Sequence, residues 1–272
     1  MNETESTLKI VHHGSASIAY DVLGPPSTNA PTLCLIASTG RGPTDFGHLA
    51  EHLTKQGIRV VLPWPRGVGQ SEGDLETVDF HDFAGDAAAA LAAEAGPGGA
   101  FVAGHAYGCW IARTMAADKP DLVDGVVLLA AAAGSWPAEL SQAINIAMTP
   151  DAPEEDRIEA LQLAFFHEEH DARPWLNGWY PELARVQRAA RTRTDHDSWW
   201  HCGTAPILDL VGLQDPFRTP QDINFYVKEL GPRVTLHTID GASHALPDER
   251  SKEVADIVSQ WIKTCLTARL SR

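Results

Sequence analysis

The chain has 272 residues, 44% of them hydrophobic and 21% charged, enough to bury one large core as a single undivided domain. Its net charge of −15, with a pI near 5.1 and no basic run or face, speaks against nucleic acid or an anionic membrane as partner and suits a small neutral or cationic ligand. Cys34, Cys109, Cys202 and Cys265 are scattered without a C-x-x-C pair, so free thiols are expected rather than a disulfide framework or a zinc cluster.

The opening MNETESTLKIVHH is polar and acidic, and no apolar run reaches the length of a membrane span, so a cytoplasmic protein is expected. LKIVHHGSASIAYDVLG (8–24) predicts a leading antiparallel hairpin. Then come apolar runs rich in β-branched residues: 32–38, 58–64, 99–104, 124–132, 205–212 and 233–240. Helical spacing with Gly or Pro stops separates most of them, at 45–57, 82–96 and 108–120, and follows the last at 251–266. Near-continuous apolar strands alternating with helices predict a mostly parallel, doubly wound α/β sheet covered on both faces.

The rhythm breaks between 135 and 204, where no strand-like run occurs but EEDRIEALQLAFF (154–166) and YPELARVQRAARTRT (180–194) have helical spacing. A segment this long with its own apolar faces predicts a helical cap over a core formed by 1–134 and 205–272. It carries Trp136, Trp175, Trp179, Trp199 and Trp200. Each one either glues the cap to the core or lines a binding chamber; the group as a whole favours a chamber, with Trp175, Trp179, Trp199 and Trp200 as the substrate-binding candidates.

Four motifs carry chemistry. Gly104-His105-Ala106-Tyr107-Gly108 joins a strand to a helix as a tight turn, with Ala106 at the position where a nucleophile is mounted. GLQDPF (212–217) puts Asp215 at the carboxyl end of a strand, and GASHALPDE (241–249) puts His244 after the next one. WPRGVGQS (64–71) holds Arg66, which more naturally braces a turn than touches a ligand. From residue 8 to 265 the chain resembles the α/β-hydrolase superfamily, with these motifs in the family's order of nucleophile, acid and histidine. The resemblance extends to a subset whose elbow is Gly-His-Ala-aromatic-Gly and whose cap holds W-L-x-G-W-x-P, here Trp175 to Pro181.

On this resemblance His244 is the base and Asp215 its orienting carboxylate, with Asp209, inside the strand, a poorer acid. The N–H groups of Tyr107 and of Ser38 or Thr39, in IASTGRGPTDF (36–46), form the expected oxyanion hole. Arg41 in the same loop is either a surface charge or a guanidinium that pins a carboxylate or enolate. His105 is kept among the substrate-binding candidates, although a residue beside the elbow position usually points into the core. Cys109 is expected to be a small packed hydrophobe.

Ala106 leaves three explanations open: a serine replaced to trap substrate, lost chemistry, or chemistry that needs no serine. A retained His-Asp pair favours an enzyme acting on a small apolar or aromatic carbonyl compound such as an ester, a lactone or an activated C–C bond. The alternatives are a serine hydrolase inactivated at 106, a cofactor-free lyase or oxygenase, and a non-catalytic ligand-binding protein. No metal or organic cofactor is implied, and a small-molecule substrate bound by a monomer or homodimer is expected.

Overall fold

A computed structural model describes residues 6–270, so the ends of the two expected core segments, 1–5 and 271–272, lie outside the described residues. The strands β1 (Thr7–His13), β2 (Ala16–Leu23), β3 (Thr32–Ile36), β4 (Arg59–Pro63), β5 (Ala100–His105), β6 (Gly125–Leu129), β7 (Ile207–Gly212) and β8 (Val234–Ile239) form one sheet. Their spatial order is β1-β2-β4-β3-β5-β6-β7-β8. The hairpin and the β2–β4 pairing are antiparallel, and every pairing from β4 to β8 is parallel. The apolar run 124–132 overshoots its strand because the chain turns out of the sheet at Ala130, which has φ 51°.

The helices are α1 (Gly47–Lys55), α2 (Phe80–Glu94), α3 (Gly108–Asp118), α4 (Ala138–Ala147), α5 (Glu154–Ala164), α6 (Pro181–Arg193), α7 (His196–Trp199), α8 (Phe225–Leu230), α9 (Leu246–Glu249) and α10 (Ser251–Leu270). α2 starts two residues before the pattern predicted, because Asp79 caps it and Asp82 closes the capping box. β6 explains why the central strands are apolar throughout. Val126 and Leu128 join the core with Phe80, Phe83, Ile111 and Met115 of α2 and α3, while Val127 and Leu129 join Leu49, Leu53, Val254 and Val258 of α1 and α10. Alternate side chains thus bury on opposite faces. Among the described residues no helix is long and apolar enough to cross a membrane.

Two features of this topology position a site. The chain runs from β3 outward to β4 and returns across β3 to β5, so the loops after β3 and β5 part and leave a crevice at the carboxyl ends of the strands. The segment 135–204 holds α4 to α7, and part of it packs there. Leu140, Leu161, Phe165, Phe166 and Trp175 form a cluster with Phe217 and Ala245 from the loops after β7 and β8.

Candidate active site

β5 and α3 meet at a turn that only glycine permits at two positions. A Cβ on Gly104 would lie 2.0 Å from the Gly108 carbonyl oxygen, and one on Gly108 would lie 2.2 Å from that of Ile36. Between them Ala106 adopts φ 49°, a left-handed conformation that costs a non-glycine residue about 1 kcal/mol. Its N–H donates to the Leu129 carbonyl at 3.0 Å and its carbonyl accepts from Cys109 N–H at 3.0 Å, which holds the strained residue in place. Such strain persists where the surroundings over-determine the backbone, and it gathers at ligand sites.

The pairing of Ile36 with Gly104 sets the loop after β3 beside this turn. Ser38, Thr39, Ala106 and Tyr107 line one cavity of about 360 Å³. Tyr107 precedes α3, where N–H groups have no intrahelical partner. Among the described residues the N–H groups of Ser38, Thr39 and Tyr107 donate to no protein acceptor, so they remain available to an oxyanion.

His244 lines the same cavity, and its Nδ1 lies 2.9 Å from Asp215 Oδ2, with side-chain exposures of 6% and 0%. The other oxygen of Asp215 accepts from Phe217 N–H at 2.8 Å. A carboxylate on Nδ1 places the proton there and leaves Nε2 as the free lone pair. Among the described residues Nε2 has no protein partner. Gln214 zips the acid loop to the histidine loop: its N–H donates to the Ala242 carbonyl at 3.0 Å and its Oε1 accepts from Ala242 N–H at 3.1 Å. Asp209 is committed elsewhere, 2.6 Å from Arg218 in a pair with no exposed side-chain surface. Burial pushes its pKa up to about 6 against the pull of Arg218.

His105 does not reach the cavity. It is buried, and its Nε2–H donates to the carbonyl of His244 at 2.7 Å, so it braces the backbone that carries the base. Burial, helped by the nearby His244, pushes its pKa down to about 3. A histidine in the unfolded chain titrates near ~6.5, so between about pH 6.5 and 3 the unfolded chain binds a proton that the folded chain refuses. Stability should therefore fall as pH falls through that window. Urea denaturation should show a smaller loss of stability between pH 7 and 4.5 for His105→Gln than for the wild type, and equal losses would refute this role.

Several binding candidates also lie elsewhere. Arg41 is buried, with Nε and Nη2 on Asp45 and Nη1 on the Asn177 carbonyl, and it is sandwiched 4.3 Å from the ring centre of Trp175 and 4.6 Å from that of Trp179. With these N–H groups committed, it clamps the W-L-x-G-W stretch to the core instead of pinning a ligand. Trp175 is buried against Phe165 and Phe166, its indole N–H bonded to Asp248 at 2.9 Å. Trp199 packs on Phe80, and Trp200 stands 4.1 Å from the guanidinium carbon of Arg113. Both lie off the cavity because α7 docks on the flank of α3 rather than over the elbow.

Of the four candidate tryptophans only Trp179 lines the cavity, where it is joined by Trp110, Trp136, Phe165 and Phe217. Trp110 stands one helical turn beyond Ala106, and Phe217 two residues beyond Asp215, so proximity to the motifs was the available signal. Trp136→Ala should weaken ligand affinity with little change in Tm. Trp199→Ala should cost about 3–5 kcal/mol of stability and leave affinity intact. Arg66 braces its turn as expected, bidentate to Asp86 at 2.8 Å. Cys109 is buried with its thiol on the Gly104 carbonyl, and burial raises its pKa. A larger groove of about 890 Å³ lies beside the amino ends of β7 and β8 against α10, but no motif residue lines it.

A model of the Alpha/beta hydrolase family matches residues 30–257. None of the curated proteins matches the chain. Among solved structures, an esterase from Rhodococcus sp. ECU1013 is 23% identical with a TM-score of 0.74, over 96% of this chain and 99% of that one. A 2-hydroxy-6-oxo-6-phenylhexa-2,4-dienoate hydrolase from Rhodococcus sp. strain RHA1 is 19% identical with a TM-score of 0.72, over 95% and 99%. A variant epoxide hydrolase from Solanum tuberosum is 18% identical with a TM-score of 0.68, over 96% and 100%. At these identities the neighbours bear on the fold alone, whereas the family match spans most of the sequence: the chain belongs to the alpha/beta hydrolase family.

Proposed function

We propose that the protein is a hydrolase that turns over a small apolar or aromatic carbonyl compound without a covalent serine. One observation carries this reading: the buried His244–Asp215 pair, 2.9 Å apart, stands on an aromatic cavity beside a methyl group instead of a hydroxyl. Nε2 of His244 takes a proton from a water molecule seated next to Ala106, and the water oxygen attacks the substrate carbonyl. The N–H groups of Tyr107 and Ser38 or Thr39 receive the negative charge that develops on the carbonyl oxygen. The imidazolium, stabilised by Asp215, then returns its proton to the leaving group, so an ester and water yield an acid and an alcohol.

The segment 135–204 serves as the cap of this site, over a core formed by 1–134 and 205–272. Trp110, Trp136, Trp179, Phe165 and Phe217 supply rigid apolar walls, and the cavity of about 360 Å³ has the size of a small-ligand pocket. The Rhodococcus RHA1 neighbour, named as hydrolase of a phenyl-substituted oxo compound, supports an aromatic carbonyl substrate. A second reading rests on Ala106 itself. With no hydroxyl at the elbow to compete for the Nε2 lone pair, the same base serves direct proton abstraction from the ligand, as in a cofactor-free lyase or oxygenase.

Incubating the protein and His244→Ala with esters, lactones and β-diketones, with mass spectrometry of the products, tests the proposal. Products from the wild type alone support it. Saturable binding with no product across the set identifies a non-catalytic binding protein instead.

A further inference from the structure

We propose that the ligand of this cavity carries an anionic group, a carboxylate or enolate, which is held at the mouth by Arg188 and Arg191 of α6. The inference rests on reading the cavity as the active site and adds to it a substrate class that the whole-chain charge would not suggest. Although the chain carries −15, among the described residues no acidic side chain lines the cavity, and the charged lining residues are these two arginines. Both are exposed at the rim.

Neither guanidinium is neutralised. Arg188 donates to the amide oxygen of Asn145 at 2.7 Å, and Arg191 stands 4.6 Å from the ring centre of Trp110. Among the described residues neither has a carboxylate partner. Arg185 of the same helix, off the cavity, is paired with Glu182; Arg41, Arg59, Arg66, Arg218, Arg250 and Arg269 are likewise paired with carboxylates; and Arg113, Arg157, Arg193 and Arg233, which line no part of this cavity, donate to backbone carbonyls. In a chain with 36 acidic residues, two adjacent unpaired guanidiniums at one cavity mouth mark a place where negative charge is to be supplied from outside.

The helix that carries them is fixed relative to the reacting end. Gln187, which also lines the cavity, accepts the Gly40 N–H at 2.7 Å through its Oε1 and so ties α6 to the loop that supplies Ser38 and Thr39. Residues 187, 188 and 191 share one helical face. Trp110, under Arg191, lies one turn from Ala106, and the ring holds the guanidinium by cation–π attraction at the edge of the apolar wall. The cavity thus offers two guanidiniums, aromatic surface and His244. A compound with an anionic head, an apolar body and a carbonyl matches all three.

Calorimetric titration with 4-phenylbutanoate and its neutral counterpart 4-phenylbutanamide tests this. The carboxylate should bind at least about tenfold tighter at low salt, the size that two partly solvated charge contacts supply, and the preference should shrink at about 0.5 M salt. The double variant Arg188→Gln/Arg191→Gln should equalise the two probes without moving Tm, and Arg185→Gln should leave the preference intact. Trp136→Ala should weaken both probes alike. Equal affinities in the wild type, a preference that survives the double substitution, or no binding of either probe would each overturn the proposal. His244→Ala should keep the carboxylate preference, so if that preference holds while no substrate is turned over, the catalytic reading fails and the anion site stands.

Discussion

His244→Ala is expected to lower turnover by on the order of 10²- to 10⁴-fold, the usual worth of a positioned general base, while affinity for a cavity ligand changes by less than about threefold. The split between rate and affinity follows from position. On the proposed mechanism the ring handles the proton, whereas Trp110 of α3, Trp136, Phe165, Trp179 and Phe217 line the cavity as apolar walls. Asp215→Asn should produce a loss of comparable size for a different reason. An amide in place of the carboxylate no longer enforces the proton on Nδ1, and it withdraws the charge that stabilises the imidazolium. Asp209→Asn should leave the rate intact and lower stability, because Asp209 pairs with the buried Arg218 and touches no cavity residue of the catalytic set. Steady-state rates with separately measured dissociation constants check all three. An unchanged rate in His244→Ala would remove His244 from the chemistry.

The parts of this site that were legible in the sequence are those that local chain geometry determines. Ala106 and Asp215 follow the buried strands β5 and β7, and His244 follows the half-exposed edge strand β8, each within a few residues, and a parallel sheet brings such loops to one edge whatever the rest of the chain does. The elbow glycines belong to the same class, because the close approach they allow lies within a single strand–turn–helix unit. Side chains in the segment 135–204 were not legible in this way. Trp179 and Trp199 are both cap tryptophans, and the docking of α7 against α3 puts Trp199 into core packing while Trp179 becomes a cavity wall. Arg41 was misleading for a related reason: its place beside the oxyanion loop suggested a ligand, yet its partner Asp45 stands four residues on, a spacing that itself signals a local ion pair. The whole-chain charge erred too for the ligand proposed here, since an average over 272 residues carries no information about the lining of one cavity.

Ala106→Ser is expected to bring no gain in turnover of the substrate identified by the screen, and it should produce a loss if the hydroxyl takes the place of the attacking water. Backbone strain does not confound the test, because at φ 49° serine meets the same left-handed penalty of about 1 kcal/mol that alanine already bears. Nor does a missing base: His244 and Asp215 are already paired at 2.9 Å on the cavity that the hydroxyl would enter, and Tyr107 is in place to support an oxyanion. On the reading proposed here, every element a serine nucleophile needs except the serine is therefore present. A protein in which alanine had merely replaced that serine should recover several powers of ten in rate, because removal of a triad nucleophile costs on the order of 10⁶ in turnover. Rapid-mixing kinetics with mass spectrometry of the intact protein separates the outcomes. A burst of acyl-enzyme in Ala106→Ser, on a substrate toward which the parent protein is inert, would overturn the serine-free mechanism. Steady turnover by the parent with neither burst nor acceleration in the variant would establish that the methyl group at the elbow leaves room for the water His244 activates.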